Sequence, residues 1–180
     1  MYKRQPHNPW FHPTQKIEFT NIQTCKYNSD ISNADKQKWA KDRVKRHQRY
    51  YIYTDGSAKD GSSEGGAGVA IYDESFSQID SINTIAGSLC SSFDTECVAL
   101  ISALAWINDS GAASSDIQIL TDSMSLVTAL QSDTSTSKSV HVRSIRELLG
   151  KSQNQITLTW IPAHCGFDGN WVATRIIQMT

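Results

Sequence analysis

A chain of 180 residues, 39% of them hydrophobic, can bury one ordinary core without disulfides or a structural metal, so a single globular domain is the default. Its four cysteines, Cys25, Cys90, Cys97 and Cys165, form no C-x-x-C pair and have no histidines at zinc-finger spacing, so they are expected to be buried free thiols of an intracellular, reducing compartment. No apolar run approaches the roughly 20 residues of a membrane span, and the opening Met1 to Pro6 lacks the apolar stretch of a secretory signal.

The net charge of −1 conceals an asymmetry. Residues 1–50 hold 11 Lys and Arg against 4 Asp and Glu, a net of +7, whereas residues 51–180 hold 6 against 14, a net of −8. The split describes a basic, loosely ordered lead-in over residues 1–48 attached to an acidic folded domain over residues 49–180. Basic arms serve phosphate backbones, and a solvated lysine-rich linker explains the same count equally well.

Residues 1–35 contain three of the four prolines and no sustained apolar period, which predicts little packing there. From Asp35 to Arg49 the helix formers outnumber the apolar residues, so any helix is expected to be exposed and marginal. Tyr50 to Thr54 is β-branched and aromatic and runs into the turn-former pair Asp55-Gly56, a strand closing on a loop. Gly66 to Tyr72 reads as a second strand, its glycines signalling a bulge or close backbone approach. Gln78 to Ala86 alternates as a third, and short connections make the three an antiparallel meander.

Asp94 to Asn108 is apolar nearly all round and follows Ser91-Ser92, which offer N-caps, so it is expected to be a buried helix. Ile117 to Asp122 is a strand, Ser123 to Leu130 a helix, Val140 to Leu149 another helix, and Ile156 to Ile161 a last strand that Pro162 ends. The order β-β-β-α-β-α-α-β implies an α/β fold, a mixed sheet covered by helices with parallel crossovers in its second half.

Asp55 and Asp122 each end a predicted strand, and ligands of α/β sheets collect beyond such ends where strand order reverses. Glu96 lies in the first turn of the expected buried helix, so three acids from three elements can face one crevice. Carboxylates so clustered resist joint ionisation unless hard cations such as Mg²⁺ neutralise them, and two such ions about 4 Å apart suit an in-line phosphoryl displacement. Each acid also has a plainer explanation: Asp55-Gly56 as a turn, Glu96 as a helix-start charge, and Asp122 or Ser123 as a cap.

The local contexts are more specific than scattered acids: TDGS at 54–57, TE-x-x-AL at 95–100, TDS-x-S-x-V-x-AL at 121–130 and WIPAHCGFDGN at 160–170. Over roughly Arg49 to Asn170 these motifs resemble ribonuclease H type 1 domains, particularly those downstream of reverse transcriptases in non-LTR retrotransposons. The resemblance implies a five-stranded mixed sheet flanked by helices. It also implies endonucleolytic hydrolysis of the RNA strand of RNA–DNA hybrids, leaving 3′-hydroxyl and 5′-phosphate ends. Asp55, Glu96 and Asp122 then hold Mg²⁺, with Mn²⁺ as the alternative, and His164 matches a loop histidine that assists proton transfer or product departure. Gly56, Ser57, Ser92 and Ser123, beside the acids, are placed to contact the hybrid by its shape and 2′-hydroxyls, and a reverse transcriptase region of the same element is the implied protein partner.

The chain departs from the family pattern after Gly169-Asn170. Where that pattern places a fourth carboxylate this sequence has Thr174, a neutral hydroxyl and a poor ligand beside carboxylates, while Asp168 belongs to the preceding loop. The family's last helix is cut short by Thr180. Such an abrupt end to agreement is the expected mark of a frameshifted or truncated reading frame, and it raises a catalytically impaired or silent nucleic-acid-binding retrotransposon remnant as the alternative function.

Overall fold

A computed structural model of the chain describes residues 18–19, 32–58, 65–132, 139–163 and 173–174. In chain order its elements are strand β1 (Glu18–Phe19), helix α1 (Asn33–Lys41), strands β2 (Tyr50–Ser57), β3 (Gly65–Asp73) and β4 (Gln78–Gly87), and helix α2 (Ser92–Asp109). Strand β5 (Asp116–Thr121), helices α3 (Met124–Gln131) and α4 (Val140–Lys151), and strand β6 (Gln155–Trp160) follow.

β2, β3 and β4 are antiparallel neighbours, as the short connections predict, whereas β5 pairs in parallel with β2 and β6 because helices carry the chain back over the sheet. The order β6-β5-β2-β3-β4 is the five-stranded mixed sheet that the resemblance implies. Two residues of the lead-in add to it: β1 lies parallel to β6, with Glu18 opposite Thr157 and Phe19 opposite Leu158.

One face of the sheet is covered by α2, α3 and α4. Ile52, Val69, Ile71, Ile117, Ile119 and Leu158 meet Leu100, Leu104, Ile107, Leu126 and Ile145 in the larger core. α2 lies between the sheet and α4, which is why it is apolar nearly all round. Leu104 is fully buried there, and truncation to Ala is expected to cost about 2–5 kcal/mol. Among the described residues no helix is long and apolar enough to cross a membrane.

The opposite face carries a smaller cluster in which Tyr51, Tyr53, Ala70 and Leu120 meet Ala40, Ile161 and Ala173. Helix α1 is largely exposed, as expected, but one side of it packs against the fold. α1 buries Ala40 completely in this cluster, while its Trp39 packs edge-on against Trp160 of the larger core with ring centroids 5.3 Å apart, and the Arg43 guanidinium lies over the Trp39 ring. The buried amide of Gln118 fastens the segment that follows. Its Oε1 accepts from the Lys45 N–H at 2.8 Å, and its Nε2 donates to the Arg43 carbonyl and the Thr159 hydroxyl, each at 2.8 Å. The Tyr51 hydroxyl donates to the Lys45 carbonyl at 2.8 Å. Long-range polar contacts of this kind leave no apolar period to read in the sequence. The expected shortened last helix lies mostly outside the described residues, where only Ala173 and Thr174 are seen, as helix.

Candidate metal centre

The parallel pairing of β2 with β5 ends at Thr54 opposite Thr121. The next residue of each strand is an acid, so Asp55 and Asp122 stand side by side where the sheet opens between them. β2 does not close on a turn at Asp55, as the Asp-Gly pair suggested. Asp55, Gly56 and Ser57 continue the ladder to β3, opposite Gly68, Ala67 and Gly66. The turn explanation of Asp55 therefore fails on geometry.

The helix-start reading of Glu96 and the cap reading of Asp122 fail as well, while the cap reading of Ser123 holds. Ser123, not Asp122, caps α3, its hydroxyl accepting from the Leu126 N–H at 3.4 Å. α2 is capped by Ser91 and Asp94, which exchange bonds between side chain and backbone in a capping box. That box starts the helix at Ser92 and leaves Glu96 beyond its first turn, buried rather than at the exposed helix start. The Ser91 hydroxyl, and then its backbone N–H and His141, hold the Asp94 carboxyl below its usual value, with His141 Nδ1 lying 3.3 Å from Asp94 Oδ1.

Gly56 brings the helix and the strand together. A Cβ there would lie 2.6 Å from the Thr95 carbonyl carbon and 2.7 Å from the Thr95 hydroxyl, so only glycine lets α2 sit directly on β2. In return the Gly56 N–H donates to the Glu96 carboxyl. One ligand atom from each of Asp55, Glu96 and Asp122 then falls within 4.8 Å of the others. Burial, followed by the Asp122 and Asp55 charges, pushes the Glu96 carboxyl up to about 9.

Glu96 Oε2 is buried with no hydrogen-bond partner among the described residues. A buried carboxylate oxygen without a partner, on a residue grouped with two other acids, is costly unless a proton or a cation sits beside it. Three hard oxygen donors within 4.8 Å of one another fit a divalent ion of the Mg²⁺ type, and these residues can hold one.

The fold matches known proteins. A family model for RNase H matches residues 47–179, most of the chain. The chain belongs to the RNase H family. A search of curated proteins found no match. Among solved structures, the RNase H1 of Halobacterium salinarum NRC-1 is similar with a TM-score of 0.59 and 21% identity, over 73% of this chain and 99% of that one. LC11-RNase H1, solved in complex with an RNA/DNA hybrid, gives 0.61 and 20%, over 72% and 97%. The N-terminal RNase H domain of a Mycobacterium tuberculosis protein, solved as a fusion with maltose-binding protein, gives 0.60 and 19%, over 73% and 92%.

Within this RNase H domain the remaining expected residues fall into three groups. Gly56 touches the acids, and Ser57 and Ser92 are exposed beside the strand and helix ends that carry them. Ser123 is 8% exposed, and its hydroxyl is occupied in capping α3. His164 and Asp168 lie outside the described residues. Thr174 is half-buried in the helical pair that follows, and the metal-holding group found among the described residues has three acids and no fourth.

One supporting residue escaped the sequence reading. Trp160, at the end of β6, donates its indole N–H to the backbone carbonyl of Asp122 at 2.9 Å. Its place in the WIPAHCG motif was the available signal, but a tryptophan at a strand end reads first as core.

Proposed function

We propose that this RNase H domain hydrolyses the RNA strand of RNA–DNA hybrids as an endonuclease, leaving 3′-hydroxyl and 5′-phosphate ends. The observation that carries the reading is the convergence of Asp55, Glu96 and Asp122 within 4.8 Å, with a buried, unpartnered oxygen on Glu96, in a chain of this family. A fold neighbour solved with an RNA/DNA hybrid supports the substrate class.

Asp55, Glu96 and Asp122 would hold Mg²⁺ or, alternatively, Mn²⁺. A pair of such ions, when bound, supplies charge stabilisation at the attacking and leaving oxygens of an in-line phosphoryl displacement. Glu96 would have to give up its proton to serve as a ligand, and the Gly56 N–H, which already donates to it, would hold the carboxylate in place. Ser57 and Ser92 offer exposed hydroxyls to the sugars of the hybrid, where 2′-hydroxyls distinguish RNA from DNA. His164 moves a proton to or from the departing strand, a task suited to an imidazole near neutrality. By its motifs the domain works beside a reverse transcriptase region; independent behaviour of the two in copurification would argue against that pairing.

A second reading, hybrid binding without turnover in a retrotransposon remnant, is favoured by Thr174, a neutral group where the family pattern has a carboxylate. Incubating the purified chain with labelled hybrid and Mg²⁺ or Mn²⁺, beside Asp55→Asn, separates the two. Cleavage by the wild type alone supports the enzyme, and equal cleavage by both refutes the proposed site. Binding without cleavage selects the silent form. If turnover is weak, Thr174→Asp is expected to raise it.

A further inference from the structure

Positive charge is concentrated in one place among the described residues. Residues 32–49 carry seven Lys and Arg against Asp35 and Asp42, and Asp35 is engaged with the Ser32 hydroxyl at 2.7 Å. Beyond Arg49 the described cations are Arg143, Arg146 and Lys151, all on α4. Arg146 donates to the Ala129 and Ser132 carbonyls at 3.3 and 2.7 Å, and Lys151 ends α4 beside a cleft of about 460 Å³ that includes Asp109 and Asn154. A polyanion approaching an otherwise acidic domain finds its counter-charge on α1 and the segment after it.

That basic segment is held against the fold. With Ala40 and Trp39 turned to the sheet, Lys38 and Lys41, three residues apart, stand together on the exposed side of α1. The Gln118 amide fixes the backbone at Arg43 and Lys45, so the exposed Arg46 follows from an anchored stretch. One end of the strip, at Trp39, reaches the metal-centre end of the sheet, and the other, at Arg49, pairs with Asp116 at the far end of β5. Trp39 packs on Trp160, and Trp160 bonds the carbonyl of Asp122.

We infer that α1 and residues 42–49 form a phosphate-binding strip that grips the backbone of the hybrid, running from the Trp160 end of β6, on the carboxylate side, to the opposite end of the sheet at Arg49. This rests on the hybrid-cleaving reading and adds a contact surface to it. Such a grip is independent of sequence and strongly dependent on salt, because each neutralised phosphate releases counterions.

The test is hybrid binding by fluorescence anisotropy over a salt series. It compares Asp55→Asn, which blocks turnover, with Asp55→Asn carrying Lys38→Gln, Lys41→Gln and Arg46→Gln. All three added sites are exposed, and unchanged melting confirms that the variant folds. The triple change is expected to flatten the slope of log affinity against log salt by about 1 per lost contact, and to weaken binding roughly tenfold or more at low salt. Hybrid binding with identical slope and affinity in both proteins overturns the strip alone and leaves a solvated basic linker. Failure of the wild-type chain to bind hybrid at all overturns the hybrid reading and the strip together.

Discussion

The Trp160 indole donates to the Asp122 carbonyl at 2.9 Å, tying the end of β6 to the residue that leaves β5. Trp160→Phe keeps the apolar ring and removes the donor, at an expected cost of about 1–2 kcal/mol in urea denaturation. Because the carbonyl belongs to a metal-site residue, metal affinity measured by calorimetric titration should fall further than in Ile156→Val, a core change of similar cost. Equal metal affinity in the two variants would make the bond a fold contact only.

Gly56 is where strand and helix touch. Gly56→Ala forces a methyl against the Thr95 backbone, so α2 must lift from β2. We expect destabilisation of about 1–3 kcal/mol and loss of tight Mn²⁺ binding, since Glu96 moves away from Asp55. A variant of wild-type stability and affinity would show that the helix start yields freely.

In the metal-free chain the folded state keeps the Glu96 proton up to about pH 9, while an unfolded carboxyl releases it near 4.5. Between those values the folded chain binds more protons, so its stability falls as pH rises. The contribution is fully present below the unfolded value and lost once the folded value is passed. Denaturation midpoints in chelator should decline across this window, and Glu96→Gln should flatten the decline. Parallel curves for the two proteins would place the titration elsewhere.

Gln118 makes three bonds at 2.8 Å from a fully buried position. Gln118→Leu strips the Lys45 N–H and the Arg43 carbonyl of that partner, and we expect a loss of about 1–3 kcal/mol. Hydrogen exchange should quicken at Lys45. Unchanged protection there would mean that the other contacts suffice to hold the segment.

The sheet and its covering helices were legible because their signals are local and periodic. Gln78 to Ala86 alternates, Asp94 to Asn108 is apolar all round, and both became elements within two residues of the expected bounds. The acids were legible from their motifs, although their exact seats were not. Asp55 lies inside a strand because Gly56 and Ser57 keep pairing with β3, a partner that no local pattern names. The docking of α1 was missed for a related reason. Trp39, Ala40 and Gln118 cooperate across more than seventy residues of chain, and a lysine-rich run gives no hint of a buried side.

The three carboxylates sit on β2, α2 and the end of β5, brought together only by the finished sheet. An unfolded chain offers a divalent ion no comparable site, so the ion acts as a ligand of the native state alone. Each tenfold rise in free ion above its dissociation constant then adds about 1.4 kcal/mol to apparent stability. The melting temperature of this domain becomes a gauge of the ion concentration around it.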